Sequence, residues 1–294
     1  MISTNIFYQA IEGHKPLILD GAIGSYIQQK GFVTDNILWT TKINFENPEV
    51  IIKIHKEYID AGADIITTNT FRTNPSALES KKTLKPADYI RQAVDLARQS
   101  KSESEVLIAG SNAPAEDCYQ SERTISKQKL ELNHRNHIDL LIDSGVDFIL
   151  NETHSHSDEI MIICEHCYRN KFPFVISLYV TDTLQLLSGE SLETILDYLK
   201  DFNPLIVGFN CISPKIFLQI IGSIDLPKYW GFYLNCGVGK PTDKIIECGV
   251  QPEEYLKYVQ QSISHSPAFI GSCCGSSPAH TKKLREFLNG QHSS

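Results

Sequence analysis

Eight short apolar runs, rich in β-branched residues, recur along the chain, and each is followed by a stretch with helical spacing. The runs occupy residues 16–20, 63–68, 106–110, 146–152, 173–178, 205–211, 229–235 and 268–273. Near-continuous apolarity is typical of strands whose two faces are both buried in a parallel sheet. The pattern therefore predicts eight buried strands, which is the strongest constraint that the sequence places on the fold.

Amphipathic stretches separate these runs. Residues 49–61 carry apolar side chains at positions 50, 51, 54, 58 and 61, close to the period of a helix. Similar patterns cover residues 86–98, 130–144, 158–169, 191–201 and 253–262. Two of these stretches end near Gly62 and Gly145, where a residue with positive φ commonly terminates a helix. The spacing therefore predicts helices between the strands.

Eight β–α alternations predict an α/β fold with a single (β/α)₈ barrel (TIM barrel) over residues 1–288 and a frayed tail at residues 289–294. A doubly wound open sheet is the main alternative, but no G-x-G-x-x-G follows the first run. In a barrel the functional site lies at the C-terminal ends of the strands. Candidate site residues are therefore expected where each apolar run ends.

Composition and charge exclude several classes of protein. The chain has 294 residues, of which 41% are hydrophobic and 21% charged, as in an ordinary globular domain. Its net charge of −8 makes it a poor general binder of nucleic acid or anionic lipid. No apolar stretch is long enough to span a membrane, and no signal peptide is visible. We expect a cytoplasmic protein without a nucleic-acid or membrane partner, and the sequence leaves its oligomeric state open.

Thiols end two of the predicted strands. Cys211 ends the sixth strand, and Cys273 and Cys274 end the eighth. Because alternate strand ends of a closed barrel lie close together, three thiolates would face one ion and leave the fourth tetrahedral position open. This arrangement is typical of a catalytic Zn²⁺ site, since thiolates favour zinc over magnesium or calcium. Buried structural thiols are the alternative, because the spacing alone is not a zinc signature.

The segments around these cysteines resemble the homocysteine S-methyltransferase family. Residues 208–211 (GFNC) are similar to the family's GxNC motif, and residues 271–280 (GSCCGSSPAH) are similar to its GGCCGTxPxHI motif. Further similarities run along the whole chain. They are LDGAIG at 19–24, Trp39 nine residues before Pro48, AGAD at 61–64 leading to TNTF at 68–71, ET at 152–153 with DE at 158–159, and LSGE at 187–190.

The resemblance implies a zinc-dependent barrel enzyme that methylates the thiol of homocysteine to give methionine. It implies three zinc ligands, Cys211, Cys273 and Cys274, which act in catalysis through the metal. It implies two acids that hold homocysteine, Asp20 and Glu152, and places four further residues in the substrate sites, Gly21, Trp39, Asn69 and Thr153. The chemistry agrees, since a free thiol has a pKa of about 8.5 and zinc coordination deprotonates it.

The methyl donor is expected to be a sulfonium compound. Trp39 aligns with an aromatic residue that contacts the donor in family members that use betaine, whereas their other aromatic donor positions are Arg72 and Thr153 here. An incomplete aromatic site with an added positive charge disfavours the betaine cation. Arg72 either pairs with the carboxylate of an amino-acid donor or points to solvent. We expect S-methylmethionine, or less efficiently S-adenosylmethionine, as donor.

Two functions of other classes stay open. The 294 residues accommodate one barrel and no folate or cobalamin domain, so a separate corrinoid protein is an alternative source of the methyl group. A non-catalytic zinc store or thiol sensor on a barrel scaffold is the second alternative. Both alternatives retain the predicted thiol cluster. The first differs from the implied enzyme in the source of its methyl group, and the second differs in not needing homocysteine.

Several other cysteines and histidines have more than one interpretation. Cys236 is either inert packing or an occupant of the open zinc position, and Cys118 has no assigned role. The C-x-x-C at 164–167 lies in a predicted helix and is expected to belong to a helix face. His154 and His156 flank Glu152 and are either supporting groups or exposed loop residues.

Overall fold

Eight parallel strands form one sheet, and the sheet closes into a barrel. The computed structural model describes residues 6–9, 12–13, 15–79, 85–238 and 245–290. The barrel strands are β1 (Leu17–Ile18), β2 (Ile65–Thr67), β3 (Leu107–Asn112), β4 (Phe148–His154), β5 (Phe174–Leu178), β6 (Ile206–Asn210), β7 (Trp230–Leu234) and β10 (Phe269–Ser272). A short hairpin, β8 (Gly237–Val238) and β9 (Glu247–Cys248), lies between β7 and β10. Each of the eight predicted runs overlaps one barrel strand, and β3 and β4 extend two residues beyond their runs.

The strands pair in chain order around the barrel. Every neighbouring pair in the sheet is parallel, from β2 with β3 to β10 with β1. A parallel bridge between Leu19 and Ile65 closes the ring, and the Asp20 N–H donates to the Ile65 carbonyl at 2.9 Å. This closure confirms the predicted (β/α)₈ barrel and rules out the open doubly wound sheet.

Helices surround the barrel. They are α1 (Ile23–Gln29), α2 (Ile43–Glu46), α3 (Pro48–Asp60), α4 (Pro75–Leu78), α5 (Pro86–Lys101), α6 (Lys127–Asp143), α7 (Ser157–Asn170), α8 (Leu192–Leu199), α9 (Pro214–Ser223), α10 (Pro252–Ser262) and α11 (Pro278–Gly290). All six predicted helices are present. Across the described ranges, no helix is both long and apolar enough to cross a bilayer.

The sequence pattern missed five helices, α1, α2, α4, α9 and α11, of which α2 and α4 have only four residues each. In α9 Phe217 and Ile220 are buried, with Ile216 and Ile221 partly buried beside them, so the helical spacing is present although it was not recognised. Helix α11 extends through Gly290, two residues beyond the predicted end of the barrel at residue 288. The remainder of the predicted tail, residues 291–294, lies outside the described residues.

Alternate residues of each strand pack into two separate cores. Inside the barrel, side chains such as Leu19, Ile65 and Phe148 form one buried cluster beneath the strand ends. Their neighbours along the strands, such as Ile18 and Ile149, pack outward against the helices. Full burial of one such side chain contributes roughly 1.5–3 kcal/mol. The inner cluster gives the functional site a rigid apolar floor.

Carboxylates at the N-terminal ends of two strands tie neighbouring strands together. The Asp64 carboxylate accepts the Ile18 N–H at 2.8 Å and pairs with Arg285 at 2.6 Å. The Asp147 carboxylate likewise accepts the Ile108 N–H at 2.7 Å. Each acid satisfies a backbone donor at the start of the adjacent strand, so these carboxylates serve the closure of the barrel.

Candidate active site

A cavity of about 840 Å³ opens at the C-terminal ends of the barrel strands. It is where a (β/α)₈ barrel carries its chemistry. All nine predicted site residues line it: Asp20, Gly21, Trp39, Asn69, Glu152, Thr153, Cys211, Cys273 and Cys274. The structure therefore brings together residues that are as far apart in the chain as Asp20 and Cys274.

Three thiols form a cluster at one side of the cavity. The sulfur atoms of Cys211, Cys273 and Cys274 all lie within 4.8 Å of one another, and the Sγ atoms of Cys211 and Cys274 are 3.7 Å apart. Two sulfurs on one tetrahedral zinc at about 2.3 Å would stand about 3.8 Å apart. The spacing of the cluster thus fits a single tetrahedral ion, and all three cysteines line the cavity.

Local backbone geometry presents these thiols. Cys211 follows β6 with φ +53°, a left-handed conformation that is uncommon outside glycine. Two residues later, the Ser213 hydroxyl accepts the Ile216 N–H and starts α9. Gly275 follows Cys274 with φ +82°, and a Cβ there would lie 2.5 Å from the Gly237 Cα. The turn after the vicinal cysteines therefore requires glycine.

The charges of the three thiols depend on one another. Hydrogen bonds from the thiols of Cys273 and Cys274 hold the pKa of Cys211 well below its usual range. The same contacts with Cys211 raise the pKa of Cys273 and of Cys274 well above theirs. These contacts thus favour ionisation of Cys211 over that of its two neighbours. A divalent ion at the centre would stabilise all three thiolates.

Asp20 lies buried at the end of β1. Its carboxylate accepts the Thr67 N–H at 2.8 Å and the Thr67 hydroxyl at 3.0 Å. Burial raises the pKa of Asp20 well above its ordinary value, the bonds from Thr67 oppose this rise, and the charge of Glu152 adds to it. The next residue, Gly21, allows close packing, because a Cβ there would lie 2.6 Å from the Tyr58 hydroxyl.

Glu152 lies near the end of β4 and faces the same cavity. It accepts hydrogen bonds from the Ser111 hydroxyl and, at 3.4 Å, from the Tyr233 hydroxyl. Burial raises the pKa of Glu152 to about 7, with a smaller contribution from Cys211, although the bonds from Ser111 and Tyr233 oppose this rise. Two shielded carboxyl groups with raised pKa values thus face one cavity, where a cationic group would stabilise their ionised forms.

A β-bulge shapes the end of β4. The register of β4 against β5 shifts between Asn151 and His154, and Thr153 within this segment has φ +63°. The Thr153 N–H donates to Oδ1 of Asn210 at 2.8 Å, and Nδ2 of Asn210 donates to the Thr153 hydroxyl at 2.7 Å. Bulges commonly redirect side chains beside active sites. Sequence reasoning identified Asn210 only as part of a motif and missed this contact.

Asn69 holds the segment that follows Trp39. Its side-chain oxygen accepts from the Thr40 hydroxyl at 2.8 Å, and its amide donates to the Thr40 carbonyl at 3.2 Å and to the Asn44 side chain at 2.9 Å. These buried bonds occupy the Asn69 amide group. Asn69 therefore fixes the wall of the cavity on which Trp39 lies.

Trp39 packs across the cavity wall with φ +47°. Its ring meets Phe71 edge to face, with ring centroids 5.9 Å apart. A Cβ at Gly24 would lie 2.1 Å from the Trp39 ring, so the indole occupies the space that a side chain at position 24 would need. These contacts form an aromatic patch at the cavity wall.

Arg72 also lines the cavity and is half-buried there. Its Nη1 donates to the Glu116 carbonyl at 2.7 Å, and its guanidinium lies 5.7 Å from the centre of the Phe71 ring. The next residue after Glu116, Asp117, lines the cavity too. This part of the cavity wall therefore carries one cationic and one anionic side chain. The sequence analysis did not identify Asp117.

The remaining cysteines separate into packing and cavity residues. Cys236 is fully buried and its thiol donates to the Leu234 carbonyl at 3.6 Å, apart from the three-thiol cluster. This favours the packing interpretation over a role in the open metal position. Cys164 and Cys167 are buried on one face of α7, as expected. Cys118 lines the cavity on the segment after β3.

The exposed-loop interpretation of the two histidines near Glu152 is wrong. His154 is buried and its Nε2 bonds to the Asn112 carbonyl at 3.1 Å, while Nε2 of His156 bonds to the Ser121 carbonyl at 3.1 Å. Both rings lie among polar backbone groups that the folded chain buries. His154 belongs to β4 itself, which explains its burial.

Comparisons with known proteins agree with this site. A family model described as homocysteine S-methyltransferase matches residues 17–288. Homocysteine S-methyltransferase 3 of Zea mays is 26% identical over 93% of this chain and 90% of its own length. Betaine-homocysteine S-methyltransferase of Drosophila melanogaster is also 26% identical, over 94% of this chain and 95% of its own length. These two relatives are equally similar to the chain, so identity does not distinguish the methyl donor.

The fold comparison gives the same result. The metallated form of the homocysteine methyltransferase MmuM from Escherichia coli superposes with a TM-score of 0.81 at 23% identity, covering 96% of this chain and 100% of that chain. At this level of identity the likeness establishes the shared barrel.

Proposed function

The chain belongs to the homocysteine S-methyltransferase family, and we propose that it transfers a methyl group from a sulfonium amino acid to the thiol of homocysteine. One observation carries the proposal. A three-thiol cluster and two shielded carboxyl groups face a single cavity that is large enough for two small substrates. The cluster supports binding of the nucleophile's sulfur, and the carboxyl groups support binding of its ammonium.

We assign zinc as the ion that Cys211, Cys273 and Cys274 would hold, because their spacing fits a tetrahedral sulfur site. Bound there, zinc would keep a coordinated thiol deprotonated at neutral pH and electron-rich toward a methyl carbon. The chain's own three thiolates overcompensate the charge of the ion. This excess negative charge favours a nucleophilic substrate sulfur over a Lewis-acid role.

Asp20 and Glu152 would hold the homocysteine ammonium. Burial raises the pKa of both carboxyl groups, so an ammonium placed between them offsets the cost of their ionisation. Fixing the ammonium also aims the thiol at the cysteine cluster and restricts its approach to the donor. The homocysteine sulfur then forms a bond to the methyl carbon while the donor's carbon–sulfonium bond breaks. The thiol proton leaves to solvent, and the donor departs as a neutral thioether.

The donor would bind against the aromatic wall. Trp39 and Phe71 offer ring surfaces that attract a sulfonium cation. Arg72 and Asp117 offer opposite charges that match the carboxylate and ammonium of an amino acid. S-methylmethionine carries all three features. S-adenosylmethionine carries them with a larger substituent, and we expect it to react less efficiently.

A donor screen with homocysteine as acceptor tests this assignment. We expect S-methylmethionine to give the highest kcat/KM, S-adenosylmethionine a lower one, and betaine little turnover. Trp39→Ala should raise the KM of the donor and leave homocysteine affinity nearly unchanged, as measured by calorimetry. Betaine proving the better donor would refute the argument from Arg72.

The carboxylate-only donor dimethylsulfoniopropionate provides a matched control for Asp117. Asp117→Asn should raise the KM of S-methylmethionine and leave that of dimethylsulfoniopropionate unchanged, because only the former has an ammonium. Arg72→Gln should impair both donors. Equal effects of Asp117→Asn on the two donors would remove Asp117 from the donor site.

The same screen decides between the alternative functions. Turnover only with a methylated corrinoid protein would replace our proposal with a partner-dependent component. Zinc binding without any affinity for homocysteine would indicate a metal store or thiol sensor. Calorimetry in buffers of different ionisation enthalpy reports the proton that homocysteine loses on binding, which a simple zinc store does not release.

A further inference from the structure

A single side-chain amide connects the strand end that carries a thiol with the strand end that carries a carboxylate. Asn210 immediately precedes Cys211, and its amide group makes hydrogen bonds of 2.8 and 2.7 Å to the N–H and hydroxyl of Thr153. Thr153 in turn immediately follows Glu152. Strand β5 lies between β4 and β6 in the sheet. These two bonds therefore join β6 to β4 across the strand that separates them.

Both residues next to this link have strained backbones. Thr153 has φ +63° and Cys211 has φ +53°, a region that is unfavourable for a residue with a Cβ. Such conformations persist where surrounding contacts hold them. The bulge at Thr153 removes its N–H from the ladder with β5, and Asn210 supplies the missing acceptor.

The amide itself stays away from the substrates. Glu152, Thr153 and Cys211 line the cavity, whereas Asn210 is completely buried and is absent from the cavity wall. Its donor and acceptor atoms are both used on Thr153. Any effect of Asn210 on the reaction must therefore act through the residues that it holds.

We propose that Asn210 is a positioning residue that sets the separation between the Glu152 carboxylate and the thiol cluster, so that one homocysteine molecule reaches both. The inference rests on the proposed function, because it assumes that homocysteine binds with its sulfur at the cluster and its ammonium at the acids. A thiol that lacks the ammonium engages only the cluster. Its binding is therefore independent of this separation.

Two ligands on the zinc-loaded protein test the proposal without turnover. Calorimetry gives the affinity of homocysteine and of 1-propanethiol for the wild type and for Asn210→Leu, which keeps a similar side-chain volume and removes both hydrogen bonds. We expect Asn210→Leu to retain one zinc per chain and to bind 1-propanethiol within about twofold of the wild type. Homocysteine affinity should fall at least roughly tenfold, because misplacement of a binding group by a fraction of an ångström is costly.

Substitutions at Thr153 provide a second measurement if Asn210→Leu does not fold. Thr153→Val removes the hydroxyl that accepts from Asn210 and retains the backbone bond, so it should weaken homocysteine binding selectively but less strongly. Thr153→Ser keeps the hydroxyl and is the matched comparison, and its homocysteine affinity should exceed that of Thr153→Val.

Three outcomes would overturn the inference: unchanged homocysteine affinity in Asn210→Leu, equal weakening of both thiols, or loss of zinc. Equal weakening or zinc loss would assign Asn210 to the metal cluster alone. Failure of the proposed function has a different signature, in which the wild type itself binds homocysteine no more tightly than 1-propanethiol.

Discussion

The two ends of the barrel carry the same kind of side chain in different surroundings. At the N-terminal ends of the strands, Asp64 and Asp147 accept backbone N–H groups of adjacent strands, and Asp64 also pairs with Arg285. At the C-terminal ends, Asp20 also accepts a backbone N–H, that of Thr67, but it faces one cavity together with Glu152, and burial raises the pKa of both carboxyl groups. In the described part of the chain no cationic side chain pairs with Asp20 or Glu152, so a substrate cation is the partner that we expect.

Backbone strain, by contrast, is present at both ends. Three cavity residues, Trp39, Thr153 and Cys211, adopt positive φ without being glycine. Four residues that precede strands at the opposite end do the same: Ser102, Lys171, Asn203 and Ser266. The two ends therefore differ in what their side chains face, and substitutions at the two ends should separate activity from stability.

The largest effect is expected at the thiol cluster. Cys273→Ala or Cys274→Ala should lose the metal and reduce turnover by about three orders of magnitude or more, since two remaining thiolates no longer enclose the ion. The fold should survive, because the other members of the inner cluster, such as Leu19, Ile65 and Phe148, stay in place. Metal analysis and kinetics on the same samples check this. Stoichiometric zinc retained in the double variant would contradict the assignment.

A smaller effect is expected at the acids of the site. Glu152→Gln should weaken homocysteine binding by roughly 1.5–3 kcal/mol, the range for a hydrogen bond to a charged group. Zinc content and thermal stability should stay at wild-type levels, because the amide keeps the size of the carboxyl group. Calorimetric titration with homocysteine measures the change. An unchanged affinity would exclude Glu152 from the substrate site.

The smallest effect is expected at the opposite end and should appear in stability alone. Asp64→Ala leaves the Ile18 N–H and the Arg285 guanidinium without this carboxylate and should lower the free energy of unfolding by about 1–2 kcal/mol. Urea denaturation checks this, with Asp147→Ala as a milder comparison. The KM of homocysteine for the folded enzyme should not change. A change in that KM would break the proposed separation between the two ends.

The barrel and the thiol cluster were accessible from sequence because their signals are local. Buried parallel strands leave continuous apolar runs, and a closed barrel then fixes which strand ends meet. This was enough to bring Cys211 together with Cys273 and Cys274. Helix α9 was not recognised, although its buried Phe217 and Ile220 lie at helical spacing.

The features that the sequence did not reveal depend on long-range contacts, and the local conformational propensity of the residues disfavours them. No local pattern predicts a left-handed threonine at position 153, since a β-branched residue disfavours that conformation. Its stabilisation comes from Asn210, which is 57 positions away in the chain. The burial of His154 likewise depends on Asn112 of the neighbouring strand. Such contacts become visible only when the strands are assembled.

The missing side chain at Gly24 has a consequence for divergence within the family. Because the Trp39 indole fills the space where a Cβ would stand, at 2.1 Å, even an alanine at position 24 must move the indole. Positions 24 and 39 are therefore expected to change together among relatives, with a larger residue at 24 accompanied by a smaller one at 39. Attempts to evolve this enzyme toward new methyl donors would gain from randomising the two positions as a pair.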